Sequence, residues 1–239
     1  MVRAAAGVRT AAMLMLAMAG AGADARQIGF VPPSGYGGKG GPPLATPAEP
    51  GAPALTSLPQ AALAPLIHIV PSYPGATKSS VKVIGAYRIT EPAGTRVIGA
   101  WAPGYLPVTV RLSDGRCFAF TADYAGPALS NAALHRVGCE ERQPAAEPAP
   151  PSPPAGQSLR LLGVAWGFAA WTDEGAGLTY ITAPFAKTYQ PLMAVRLPVT
   201  NIMAMNSPDA PLADVTLLTR INGRPALVTL EVIYGAFDN

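Results

Sequence analysis

The stretch VTLLTRINGRPALVTLEVIY, residues 215–234, decides the fold class. Residues 215–221 and 226–234 are rich in β-branched and aliphatic side chains, and Asn222-Gly223 stands between them. Asn-Gly takes positive φ at both positions of a tight hairpin turn at little cost, so the pair predicts two antiparallel strands. On the returning strand, Val228, Leu230, Val232 and Tyr234 share one face and Thr229, Glu231 and Ile233 the other, because side chains alternate along a strand.

The same grammar recurs upstream. Residues 81–89 and 95–101 flank the turn-like TEPAG (90–94), and residues 106–112 lead through Ser113-Asp114-Gly115-Arg116 into CFAF (117–120). Asp-Gly here predicts a second turn with both residues at positive φ. Residues 159–171, 178–182 and 193–197 continue the pattern around the turn TDEGAG (172–177). PALSNAALHRV (127–137) is expected to be a short helix, with Pro127 at its start and Gly138 after its end. A faint repeat joins KVIGAY (82–87), RVIGAW (96–101) and RLLG (160–163), and a glycine inside a strand signals a bulge or a close backbone approach.

Composition sets the domain plan. Ala, Gly and Pro number 44, 25 and 27 of 239 residues, so about two fifths of the chain has little side chain to bury. Residues 26–74 contain 11 prolines and a glycine-rich patch, which predicts a disordered tail over 26–73. LIHIV (66–70), bracketed by Pro65 and Pro71, is the exception and is expected to dock as an edge strand. QPAAEPAPPSPPAGQ (143–157) has six prolines and one charge and reads as a semi-rigid linker. The expected fold is thus mainly β. It comprises two small antiparallel modules, sandwich- or barrel-like, over 74–142 and 158–239, joined by the proline-rich linker.

Residues 1–25 read as a signal peptide. Arg3 and Arg9 precede the apolar AAMLMLAMA (11–19), and a small-residue stretch ends at Ala25. Nine apolar residues fall far short of the ~20 that span a bilayer. The expected destination is a periplasm or the medium, with no transmembrane anchor after cleavage. Cys117 and Cys139 then meet an oxidising compartment and are expected to form one disulfide. Without residues 1–25 the chain carries 15 basic and 13 acidic residues, scattered singly, which argues against nucleic-acid binding.

The residues that bear chemistry are few. His68 and His135 are the two histidines, no serine sits in a nucleophile elbow, and the glycine pattern at Gly35, Gly37 and Gly40 lacks the strand and helix that phosphate binding needs. Asp173-Glu174 and Glu140-Glu141 read as solvated turn charges, although an envelope hydrolase with an acidic loop site is an alternative. Met203 and Met205, with Met193, leave a periplasmic copper-binding protein as a second alternative. No metal or other cofactor is expected. Trp101 and Tyr105 in the loop-like WAPGYLP (101–107), with Trp166 and Trp171 before the turn at Asp173, are the candidate binding residues, since such rings stack on sugars or clamp extended peptides. The leading expectation is an exported, non-catalytic envelope protein with a binding or assembly role, its partner an envelope component, a glycan or an extended peptide.

Overall fold

The computed structural model describes residues 51–102, 108–125, 128–139, 148–184, 186–206 and 211–235. The expected signal peptide, the glycine-rich patch, Tyr105 and Glu140-Glu141 lie outside them, as do residues 26–50 of the expected tail and 143–147 of the expected linker.

Among the described residues the chain is mainly β. In order it forms β1 (Ala54–Ser57), the single-turn helix α1 (Gln60–Leu63), β2 (Ile67–Ile69), β3 (Ser80–Thr90), β4 (Val97–Trp101), β5 (Thr109–Leu112), β6 (Cys117–Ala125) and β7 (Ala128–Val137). It continues with β8 (Arg160–Ala165), β9 (Phe168–Asp173), β10 (Leu178–Thr182), β11 (Pro191–Val195), β12 (Val199–Asn206), β13 (Leu212–Ile221) and β14 (Arg224–Ile233). These strands build three antiparallel sheets. Sheet A has the order β1-β3-β14-β13-β12, sheet B β2-β11-β10-β9-β8, and sheet C β4-β5-β6-β7.

Sheet A is the middle layer of a double sandwich. Its side chains alternate between two cores, as the strand period requires. Val83, Ala86, Val215, Leu217, Val228, Leu230 and Val232 face Phe168, Ile181, Met193 and Val195 of sheet B. Ile84, Tyr87, Ile89, Met203, Leu218 and Leu227 face Val97, Val110, Leu112, Phe118 and Phe120 of sheet C. A strand buried on both faces cannot alternate apolar with polar, which explains the near-continuous apolar runs of β3, β13 and β14. Two threonines inside sheet A satisfy each other, Thr216 Oγ1 lying 3.2 Å from Thr229 Oγ1.

Several expectations hold. Asn222 and Gly223 sit at φ of 52° and 75° in the tight turn between β13 and β14. β2 is an edge strand pairing with β11. Cys117 and Cys139 form the disulfide, 5.4 Å apart at Cα, joining the start of β6 to the residue two past β7. All three repeat glycines sit at bulges. The register shifts fall at Val83/Gly85 opposite β14, at Val97/Gly99 opposite β5 and at Leu161/Gly163 opposite β9. In each case the aliphatic residue before the glycine is the extra one, and the three bulges occur once in each sheet. Gly85 also permits a close approach, since a Cβ there would stand 2.7 Å from Leu129 Cδ1 of β7.

Other expectations are corrected. Residues 51–73 of the expected tail are folded, because their prolines fall at element boundaries. Pro53 precedes β1, Pro59 caps α1, Pro65 lies in a short 3-10 turn and Pro71 follows β2. Residues 128–137 form strand β7, not a helix, since pairing with β6 outweighs the helical propensity of an alanine-rich run. The Asp114-Gly115 hairpin is present, but only Gly115 has positive φ. Gly115 N–H donates to Leu112 O and Leu112 N–H to Arg116 O, the three-residue loop in which the left-handed position falls on glycine alone. The boundary at 143–157 does not separate the strand pairing. β3 of the expected first module pairs with β14 of the second, and Val199–Asn206, Leu212–Ile221 and Arg224–Ile233 complete the sheet that β3 shares.

Candidate functional site

The aromatic residues singled out from the sequence fall on the two flanking sheets. Trp101 is half-buried at the end of β4, opposite Thr109. From it a row runs across the outer face of sheet C through Thr109 and Ala119 to His135. The matching row across sheet B runs Leu161, Trp171, Tyr180, Ala194, His68. Trp166 is half-buried in the turn between β8 and β9, at φ +50° beside Gly167, and packs against the core between sheets A and B. Sheet A therefore stands between the layers that carry Trp101 and Trp171, and the structure does not gather these rings into one surface.

Trp171 is not an open platform. It is 8% exposed, with Tyr189 edge-on to it at 6.2 Å. Tyr189 comes from the connection between β10 and β11, where Ala183 N–H donates to Gln190 O. Burial, and then the neighbouring Tyr180, push the Tyr189 phenol up to about 12. The indole N–H of Trp171 and the Oε1 of Gln190 are buried without a hydrogen-bond partner among the described residues.

The residues weighed for other chemistry are placed apart. Met193 lies in the core between sheets A and B and Met203 in the core between A and C, so these two thioethers face different cores. Asp173 Oδ1 accepts the Ala176 N–H within its turn, and Glu174 pairs with Arg160 at 2.9 Å on the surface. Among the described residues no three His, Cys, Asp or Glu side chains converge as a metal site would need.

A different place has the geometry of a binding slot. β1 pairs with the second half of β3 only, from Ser57 opposite Tyr87 to Ala54 opposite Thr90. The ladder is prolonged by one bond, Leu58 N–H to Ala86 O at 2.8 Å, and then the chain turns away at Pro59 into α1. The next acceptor on that edge, Ile84 O, is met by a side chain, the Nε2 of Gln60 at 3.0 Å. Below it, among the described residues, no strand pairs with the outer edge of β3 at Val81, Lys82 and Val83. A cavity of about 260 Å³ lies alongside, walled by Gln60, Ala61, Ala64 and Ile67 and floored by Val81, Lys82 and Val83. Lys82 is exposed and makes no ion pair among the described residues. The alternation of Val81, Lys82 and Val83 is legible in the sequence, but the slot depends on where β1 ends. The signal for that end is Pro59, which cannot donate a ladder hydrogen bond.

No protein-family model matches the chain, and comparison with curated proteins and with solved structures yields no significant match.

Proposed function

We propose that the chain is an exported, non-catalytic binding or assembly protein whose ligand is an extended polypeptide laid along the outer edge of β3. One observation carries this reading: among the described residues the ladder between β1 and β3 stops half-way, and the edge beyond it has no strand paired to it and borders a cavity walled on its far side by α1. An unpaired strand edge is a template for a further strand, and proteins that do not use such edges cover, charge or twist them away. Here Gln60 occupies one acceptor and leaves room beyond it. A peptide that continues the line of β1 gains main-chain hydrogen bonds for affinity and alternate side-chain positions for selectivity. Export is supported by the leader-like residues 1–25 and by the disulfide, a bond that persists in oxidising compartments. No helix of the described residues is long and apolar enough to cross a membrane.

The test is an amide-resolved titration with nine-residue peptides of alternating apolar and polar residues. Binding at this edge shifts the amide signals of Val81 and Val83 and slows their exchange with solvent. Ala64→Phe, which fills the cavity from the α1 side, abolishes those changes while leaving the rest of the spectrum in place. Peptides that leave Val81 and Val83 unmoved, or that perturb the Trp101 or Trp171 surroundings instead, overturn the assignment.

A further inference from the structure

We infer that the β3 edge selects for the sequence pattern small apolar, acidic, small apolar in its peptide. The inference rests on the peptide-binding reading above and assigns the chemistry of the partner. It follows from strand alternation. A strand added to β3 places one residue opposite each of Val81, Lys82 and Val83, and each incoming side chain leaves on the same face as the residue it opposes.

Val81 and Val83 belong to the side of sheet A that faces sheet B. Val83 is in the core shared with sheet B, and Val81 packs against that core. Incoming residues opposite them enter the cavity between β3 and α1, whose wall is Ala61, Ala64 and Ile67. The space of about 260 Å³, walled by Ala61, Ala64, Ile67 and Gln60, has to take both incoming side chains and the added backbone, so alanine, valine or serine fits where an aromatic ring would have to displace α1. Lys82 projects to the other face. On β14 its register partner is Glu231, whose Oε2 accepts the Tyr124 hydroxyl at 2.9 Å from sheet C. Among the described residues Lys82 itself has no ion pair, and a residue directly opposite it on the added strand stands as near its ammonium group as Glu231 does on β14. A carboxylate there stands two strand spacings from Glu231, roughly 10 Å, where salt screens most of the repulsion. An incoming lysine would instead stand one spacing from Lys82, opposite like charge.

Three peptides differing at one position, with the cores Val-Glu-Ala, Val-Gln-Ala and Val-Lys-Ala in a common threonine-rich frame, read the preference directly. On the full chain with its disulfide intact, the glutamate peptide binds about fivefold tighter than the lysine peptide, a gap that narrows at high salt. Lys82→Glu reverses the order and Lys82→Gln removes it, with the amides of Val81 and Val83 still shifting in both variants. Equal affinity for all three peptides, with those amides shifting, overturns the acidic preference and leaves the binding edge standing. Tighter binding of a peptide with phenylalanine in place of valine overturns the small-residue requirement. No shift of Val81 or Val83 with any peptide overturns this inference and the peptide-binding reading together.

Discussion

Sheets B and C cover opposite faces of sheet A, and their likeness is close enough to make the differences informative. Each contains a four-strand meander, β8 to β11 and β4 to β7, whose first strand has an arginine at or just before its start, followed by two aliphatic residues and a glycine beside a bulge. Both first strands lie beside β12. Asn201, at the bulge of β12, serves the two together. Its Nδ2 donates to Ala100 O of β4, and its Oδ1 is 3.4 Å from where a Cβ on Gly163 of β8 would stand. Each outer face carries a row containing a tryptophan and an alanine and ending in a histidine. The two layers are closed by different means. Sheet C is stapled within itself by the disulfide, over a sequence separation of 22. Sheet B is completed by β2, a strand about 90 residues before β8, held by pairing and by the Ile67 side chain in the core. A local covalent link and a distant non-covalent strand thus do equivalent jobs, and the two halves should differ in what undoes them.

The largest way to break the comparison is to hollow each core in turn. Phe118→Ala and Phe168→Ala both remove fully buried rings and are expected to cost about 3–5 kcal/mol each. Because sheet A belongs to both cores, either variant should unfold in one denaturant transition reported alike by probes on sheets B and C. Two separate transitions would show that the layers do not share cooperativity. Next comes the staple. The Cys117→Ala, Cys139→Ala double variant is expected to lose roughly 2–4 kcal/mol, with amide exchange in β6 and β7 accelerating more than in β9 and β10. Uniform acceleration would contradict the layer-specific closure. The repeat glycines provide a smaller contrast. Gly85→Val, driven into Leu129, should cost about 1–3 kcal/mol, whereas Gly99→Ala, with nothing within 4 Å, should stay within about 0.5 kcal/mol. Equal melting temperatures would mean that Leu129 yields freely.

The smallest effect is confined to alkaline pH and to the sheet B side. The Tyr189 phenol is pushed up to about 12 by burial and by Tyr180, above the ordinary value of 10.0 that the unfolded chain regains. Below pH 10 the phenol is protonated in both states and its contribution is complete. Between pH 10 and 12 the unfolded chain ionises first, so stability falls as the pH rises. Tyr189→Phe should flatten that part of the stability profile and remove the latest phenolate step in an ultraviolet titration. An unchanged latest step would place the perturbed phenol elsewhere.

What could be read from the sequence was what is local. The Asn222-Gly223 turn, the disulfide in a proposed exported chain and the bulge glycines each depend on chemistry within a few residues or on the two cysteines alone. The helix expected over 127–137 rests on Pro127 at its start and Gly138 after its end, signals that carry no information about a partner strand. The alanines of this stretch favour a helix in isolation, and only β6 alongside supplies the competing hydrogen bonds. The prolines of 51–73 imply disorder when counted, but not when placed at the ends of short elements. The pairing of β3 with β14 joins residues about 150 positions apart, and no periodicity records it. The candidate site shows both sides of this. The alternation of Val81, Lys82 and Val83 is legible, while the slot beside them exists only because β1 stops short of them. The ring of Trp171 is legible in the sequence, whereas its burial depends on Tyr189 arriving from the next connection.

The place of β14 has a consequence for how the protein is made. β14 is the last strand of the described chain and lies next to β3, one of the earliest, at the centre of the shared sheet. Until the ribosome has released that final hairpin, the middle layer lacks its central strand and neither core can close. Pairings of such long range form slowly, because the intervening chain must first be brought together. During synthesis the polypeptide is therefore kept from premature collapse into its native shape by topology alone. Under the export proposed above, that is the condition a translocation channel requires of a substrate it threads in extended form, with compaction and cysteine oxidation then following on the far side.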